Sequence, residues 1–356
     1  MDNSEYIDEN GLGNNEHEPR EQDKLSGYKI VCAKLGLSLC VYFIMRLFFG
    51  FVSRQIFTVT GNLSANVHYM IHSILLILLV FVIPLLVTAA IFKSFSNYKG
   101  RYRELYKKPK RLARALGTFP AMFGLGHGTA LLTLLVAFLI SRFAGGETLI
   151  EDLLRPPAME PASELLPVLM MAFMLVVVAP LVEEIWTRGI MYDALKPYGT
   201  GIAIIISSVI FGLMHGSLNM LFYTTAYGFA LGYVRYATDS LFIVTILHAF
   251  VNSIAAGTLI LLSLVEMTAY QYRLLNTVAN LFLVAILIFI IIGVVVFLTK
   301  IPAIRKYRFE NAWSEVSGWT KMGLFLTSVP VILMLVLAFN EHAGGLPLFA
   351  LIDFIG

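Results

Sequence analysis

Charge is scarce in this chain. Asp, Glu, Lys and Arg together make up 14% of its 356 residues, against about 25% in a typical soluble domain. That shortage argues against a water-soluble globular protein. Cysteine is nearly absent too: only Cys32 and Cys40 occur, both in the first apolar run. A disulfide framework and a cysteine metal cluster are thereby excluded, and both thiols are expected to act as small buried apolar groups. The apolar runs are unbroken rather than alternating with period two, which excludes an outer-membrane β-barrel. No internal repeat is visible, and that weighs against transporters built from two related halves. A basic leader is also missing. Met1 to Asp23 is acidic and polar, a composition expected to stay disordered. It lacks the n-region of a cleavable signal peptide, so the first apolar run is expected to be retained.

Apolar residues are abundant instead, at 58% of the chain. Runs of about 17–25 residues, long enough to cross a bilayer, recur along most of it. Candidate spans fall at 28–52, 70–92, 114–140, 165–192, 200–216, 218–237, 241–263, 277–299 and 322–340. The expected fold is an all-α polytopic membrane protein, a bundle of about eight or nine transmembrane helices around a polar cavity at mid-membrane. Basic residues concentrate between the second and third spans, from Lys93 through Arg101 and Lys107 to Arg114, and again at Lys300, Arg305, Lys306 and Arg308. Basic loops mark the cytoplasmic side. Alternate counting places the N-terminus inside and the C-terminus outside.

The expected organisation is a disordered acidic tail at 1–27 and N-terminal transmembrane helices at 28–143, with the basic loop at 93–114. An outer loop at 144–164 follows, carrying Pro156, Pro157 and Pro161. A core at 165–263 and C-terminal helices at 264–356 complete the chain.

One stretch in that core stands out: Pro180-Leu181-Val182-Glu183-Glu184-Ile185-Trp186-Thr187-Arg188. Ionisable groups at membrane depth are costly unless paired or solvated in a cavity, so they point to function. At about 100° per residue, Glu184 and Arg188 lie roughly 40° apart on a helix, whereas Glu183 lies about 140° from Arg188. Glu184 is thus expected to pair with Arg188, leaving Glu183 for chemistry. Pro180 is expected to kink the helix just before the pair. Two more polar pairs interrupt later spans at the same one-turn spacing: Phe211 with His215, and His248 with Asn252. A carboxylate and an imidazole can take a proton from water. A second imidazole with an amide can donate to a developing oxyanion.

In this order on successive spans, Glu-Glu-x-x-x-Arg, Phe-x-x-x-His and His-x-x-x-Asn resemble the CAAX protease and bacteriocin-processing (CPBP, or Abi) family of intramembrane glutamic endopeptidases. The resemblance covers roughly residues 165–263. It implies that Glu183 and His215 activate water, that His248 and Asn252 serve as oxyanion donors, and that Glu184 and Arg188 orient the site beside Phe211. It also implies a peptide or lipidated-protein substrate, with bacteriocin immunity and peptide maturation among the roles of bacterial relatives. No metal is the preferred expectation, although Glu183, His215 and His248 would be acceptable zinc ligands. Depth adds one requirement: the fourth helix must continue past Arg188 to about Leu195 to bring Glu183 level with the histidines.

The other polar residues read as structural. His68 and His72 suit interface packing, and His127, within Gly124-Leu125-Gly126-His127-Gly128, suits close helix contact. Arg235 and Asp239 are expected at a short cytoplasmic turn, while Lys34 and Arg46 can snorkel or face the bundle. The expected setting is a bacterial plasma membrane, with the lipid bilayer as partner and no nucleic acid. Two other functions remain open: a non-catalytic membrane regulator or immunity protein of the same fold, and a proton-coupled transporter using Glu183 and His215 as a relay.

Overall fold

A computed structural model describes residues 21–95, 107–144, 165–215, 218–267, 273–305 and 316–342. The tail before residue 21, most of the basic loop, the proline-bearing outer loop and residues 306–315 lie outside the described residues. Every described element is helical, as expected where lipid offers the backbone no hydrogen-bond partners.

The helices are α1 (Glu21–Thr60), α2 (residues 65–95), α3 (Leu112–Ala144), α4 (residues 165–198), α5 (Thr200–Leu213), α6 (Leu218–Thr238), α7 (Leu241–Met267), α8 (Arg273–Arg305), α9 (Gly318–Leu326) and α10 (Val329–His342). The nine candidate spans fall on these helices, the ninth on both α9 and α10, in keeping with an all-α polytopic membrane bundle. Among the described residues six helices are long and apolar enough to cross, or seven if α9 and α10 form one bent span. The ninth run is broken at Thr327–Ser328, where the chain turns by 71°. The fifth run makes a helix of only 14 residues, about 21 Å long and short of the roughly 30 Å hydrocarbon core. The sixth carries several Thr and Tyr residues together with Asn219 and Arg235, and does not qualify on apolarity.

The main core gathers α1, α4, α5 and α10, with Tyr28, Phe43, Trp186, Ile206 and Met334 buried together. Cys32 and Cys40 are free and buried there, as packing groups. Elsewhere α3 and α8 cross in backbone contact: a Cβ on Gly124 would lie 1.9 Å from the carbonyl carbon of Gly293. No side chain fits at that crossing, which is the close packing its small residues suggest. Gly199, at φ 136°, ends α4 in a backbone conformation open to glycine and reverses the chain into α5.

Candidate active site

The helix that carries the glutamates is irregular around them. Within α4, α-helical turns at Leu165–Phe173 and Ala179–Glu184 alternate with wider π-turns at Met174–Val178 and Ile185–Met191. Pro180 explains the first. Its ring would strike the carbonyl four residues back in an α-helix, and a wider turn moves that carbonyl away. The expected kink is therefore taken up as a π-turn. The helix then continues through Leu195 to Tyr198, as the depth of the site requires.

Glu184 and Arg188 form the expected pair, Arg188 Nη1 lying 2.8 Å from Glu184 Oε1 with both side chains fully buried. Further contacts hold the two terminal nitrogens of the guanidinium, while Nε is buried without a partner among the described residues. The group donates to Thr187 Oγ1 at 2.8 Å and to the α6 carbonyl of Gly228 at 3.0 Å, and it stacks 4.4 Å from the centre of the Phe211 ring. A buried ion pair is tolerated only with such supplementary bonds.

His248 on α7 bridges the two glutamates. Its Nδ1 donates to Glu184 Oε1 at 2.8 Å, and its Nε2 lies 3.7 Å from Glu183 Oε2. The accepting carboxylate fixes the Nδ1 proton and leaves Nε2 to face Glu183. That oxygen of Glu183 is buried and has no hydrogen-bond partner among the described residues. Of two adjacent carboxylates, Glu184 is tied through Oε1 to both Arg188 and His248, while Glu183 has only the 3.7 Å approach of His248; Oε2 of each is buried without a hydrogen-bond partner among the described residues.

His215 sits just beyond the C-terminal end of α5, its Nδ1 2.7 Å from the Phe211 carbonyl. Since a carbonyl only accepts, Nδ1 carries the proton and Nε2 keeps its lone pair. No hydrogen bond or ion pair joins His215 to Glu183 among the described residues. Phe211 links the parts instead: its ring centre is 4.9 Å from His215 and 5.6 Å from His248. Asn252 sits on the same helix as His248, but its Nδ2 donates to the α4 carbonyl of Leu175 at 2.8 Å.

Two site neighbours were not assigned a role from sequence. Arg46 of α1 donates to Tyr42 Oη at 2.7 Å and to the Met214 carbonyl, beside His215. It lies within electrostatic reach of both Glu183 and His215. An arginine inside an apolar span was the signal, as strong as the glutamates' own. Tyr223 of α6 likewise reaches Glu183 electrostatically and neighbours Tyr227, whose hydroxyl is 2.8 Å from His127 Nδ1. A tyrosine among apolar residues carries no comparable signal.

His68 and His72 pack against a neighbouring ring. His68 bonds Thr60 at 3.0 Å, and the Phe57 ring lies tilted against His68 and edge-on to His72, with ring centres 4.1 and 4.6 Å apart. Among the described residues no three His, Cys, Asp or Glu side chains are arranged to hold a metal ion. His215 and His248 each commit Nδ1 to a protein oxygen, which leaves Nε2 as the one ring nitrogen of each that can meet a further partner.

Residues 165–254 match the family model described as type II CAAX prenyl endopeptidase Rce1-like. This segment is a CAAX-protease domain. It runs from α4 into the middle of α7 and contains Glu183, Glu184, Arg188, Phe211, His215, His248 and Asn252, whereas Arg46 and His127 lie outside it. No curated protein and no solved structure matches the chain. The CAAX-protease domain thus sits in an integral multi-pass membrane protein, enclosed on one side by α1 and on another by α3.

Proposed function

We propose that this protein is an intramembrane endopeptidase that hydrolyses a peptide bond of a membrane-embedded or lipidated substrate. The observation that carries the reading is the division of labour between adjacent buried carboxylates. Glu184 takes Arg188 and His248 on Oε1, its Oε2 having no partner, whereas the Glu183 carboxylate accepts no hydrogen bond on its buried Oε2 and has only His248 Nε2 facing it at 3.7 Å among the described residues. A carboxylate in that position is a base for water.

In this reading Glu183, helped by the free Nε2 of His215, removes a proton from water as the oxygen attacks the scissile carbonyl carbon. His248, oriented through Nδ1 by Glu184, turns Nε2 to the reacting centre; carrying a second proton taken up from solvent before the reaction, it donates Nε2–H to the oxyanion and keeps that proton when the carbonyl re-forms. The proton taken from water passes to the amide nitrogen as the C–N bond breaks, releasing an amine and a carboxylic acid. Asn252, which the family resemblance casts as a second oxyanion donor, gives one of its two amide N–H groups to Leu175.

The N-terminus is cytoplasmic in this reading, and the membrane a bacterial plasma membrane. The orientation is supported at one end of the bundle. Lys110, from the basic segment before α3, bonds the carbonyl of Thr238 at 2.8 Å and the Asp239 carboxylate at 3.3 Å. The basic loop and the α6–α7 turn therefore share a side.

The test is cleavage of a membrane-derived peptide library by the purified full-length protein in lipid nanodiscs. Glu183→Gln and His215→Ala are each expected to lower kcat by about 10²–10⁴-fold, with a chelator leaving the wild type unaffected. Cleavage by both variants at the wild-type rate would end the assignment.

A further inference from the structure

Asn252 is spent on a bond that the sequence of α4 makes necessary. In the π-turn at Met174–Val178, the N–H of Ala179 is given to Met174 O, five residues back. The next carbonyl, that of Leu175, would receive the N–H of residue 180 in the same pattern. Residue 180 is proline and has none. Leu175 O would lose its donor inside an apolar bundle, where an unpaired backbone group is strongly disfavoured. Asn252 Nδ2, from α7, lies 2.8 Å from that oxygen.

We propose that Asn252 is a positioning residue whose amide replaces the N–H missing at Pro180 and so holds the π-turn that aims Glu183 and Glu184 at His248. The inference rests on the endopeptidase reading for its consequence in catalysis, but not for its structural content. A π-turn holds one residue more than an α-turn, so converting one to the other rotates everything beyond it by about 100° about the helix axis. Glu183 and Glu184 begin three residues past Pro180. Such a rotation would carry both away from His248, which now lies 3.7 Å from one and 2.8 Å from the other. His248 and Asn252 are one turn apart on α7, so one helix face both engages the glutamates and fixes the turn that presents them.

The second π-turn has a similar support. Arg235 Nε of α6 donates to the carbonyl of Arg188 at 3.3 Å, inside Ile185–Met191. Side chains of α6 and α7 thus bond α4 backbone carbonyls within both widened turns.

The test uses full-length protein in nanodiscs with a ¹³C=O label on leucine, the Leu175 band being assigned by difference from Leu175→Val. In Asn252→Ala the Leu175 amide I band should move to higher wavenumber as its hydrogen bond is lost. Adding Pro180→Ala should return it, because residue 180 then has an N–H to give. Kinetics on a cleaved peptide should follow: Asn252→Ala lowers kcat by about tenfold or more with little change in KM, and the double variant recovers most of it. A band that stays in place in Asn252→Ala would overturn the proposal. So would a recovered band with kcat still fully lost, since Asn252 would then act on the reacting atoms. The infrared result needs no activity, so a failure of the endopeptidase reading would be seen separately.

Discussion

Two helices of this protein look alike as sequence and differ in almost everything else. α4 and α8 are both long apolar runs. α8 is a regular helix with Leu281, Val284, Leu287 and Ile291 exposed along it. It faces lipid over most of its surface and touches the bundle through backbone contacts such as Gly293 against Gly124. α4 is interrupted twice by π-turns, and beyond Pro180 it buries two glutamates, a threonine and an arginine. Hydropathy alone does not tell them apart. What separates them is that α4 has polar atoms to satisfy, and each departure from regular geometry coincides with a bond from a neighbouring helix. Within α4 irregularity marks where side chains from elsewhere are engaged, whereas α2 carries a π-turn at Leu76–Val82, just before Pro84, in an apolar stretch with no such polar groups.

The largest effect expected from this contrast is on stability. Arg188→Met leaves Glu184 buried beside His248 without its cation. Removing one partner of a buried pair costs about 3–5 kcal/mol, whereas removing both is far less damaging. Thermal unfolding in detergent should therefore show Arg188→Met strongly destabilised and Glu184→Gln/Arg188→Met largely recovered. Leu287→Ala, at a lipid-exposed position of α8, should change stability by less than about 0.5 kcal/mol. Equal effects at the two helices would remove the distinction drawn here.

Much of α4 was legible because its polar residues obey a rule that survives local distortion. The i,i+4 spacing of Glu184 and Arg188 spans the end of one α-helical turn and the start of a π-turn, yet the pair still forms. The nine apolar runs mark where helices lie, since lipid leaves the backbone no alternative. The membrane count was less legible. A 14-residue helix and a run broken by a 71° bend both have the composition of a span without its length or straightness. Partner choice was the least legible part. From spacing, His248 and Asn252 share a face, but which carboxylate meets His248 and which carbonyl meets Asn252 depends on the phase of α4. The π-turns set that phase. Arg46 shows the same limit: its position within an apolar run was plain, and its proximity to His215 depends on how α1 docks on α5.

A middle-sized effect should come from Arg46, which lies outside the CAAX-protease domain yet touches its site. Its guanidinium bonds the Met214 carbonyl at the end of α5, where a cation is favoured by the helix dipole. Hydrogen bonds to charged groups contribute about 1.5–3 kcal/mol, so Arg46→Leu should lower kcat by about 10- to 100-fold. Arg46→Lys should restore part of it by keeping the charge. If Arg46→Leu instead left kcat intact, the site would be complete within residues 165–254, and α1 would be only its wall.

The smallest effect belongs at the bundle end, where polar groups meet solvent and the demand for satisfaction is weakest. Asp239 ends α6 at φ 53° and accepts from Arg235 at 3.1 Å and from Lys110 at 3.3 Å. Partial burial pushes its carboxyl pKa upward, but the hydrogen bond and charge of Arg235, joined by Lys110 and Lys196, outweigh that and hold it below the ordinary carboxylate value. A carboxyl depressed in the folded state adds stability above its unfolded pKa of about 3.9, and that stability is lost as pH falls through the lower folded value. Asp239→Asn should therefore be less stable than wild type at neutral pH, by at most about 1 kcal/mol for a pair this exposed. The difference should shrink as pH falls below about 4. A gap that stayed constant from neutral to acid pH would mean that Asp239 acts through its backbone conformation rather than its charge.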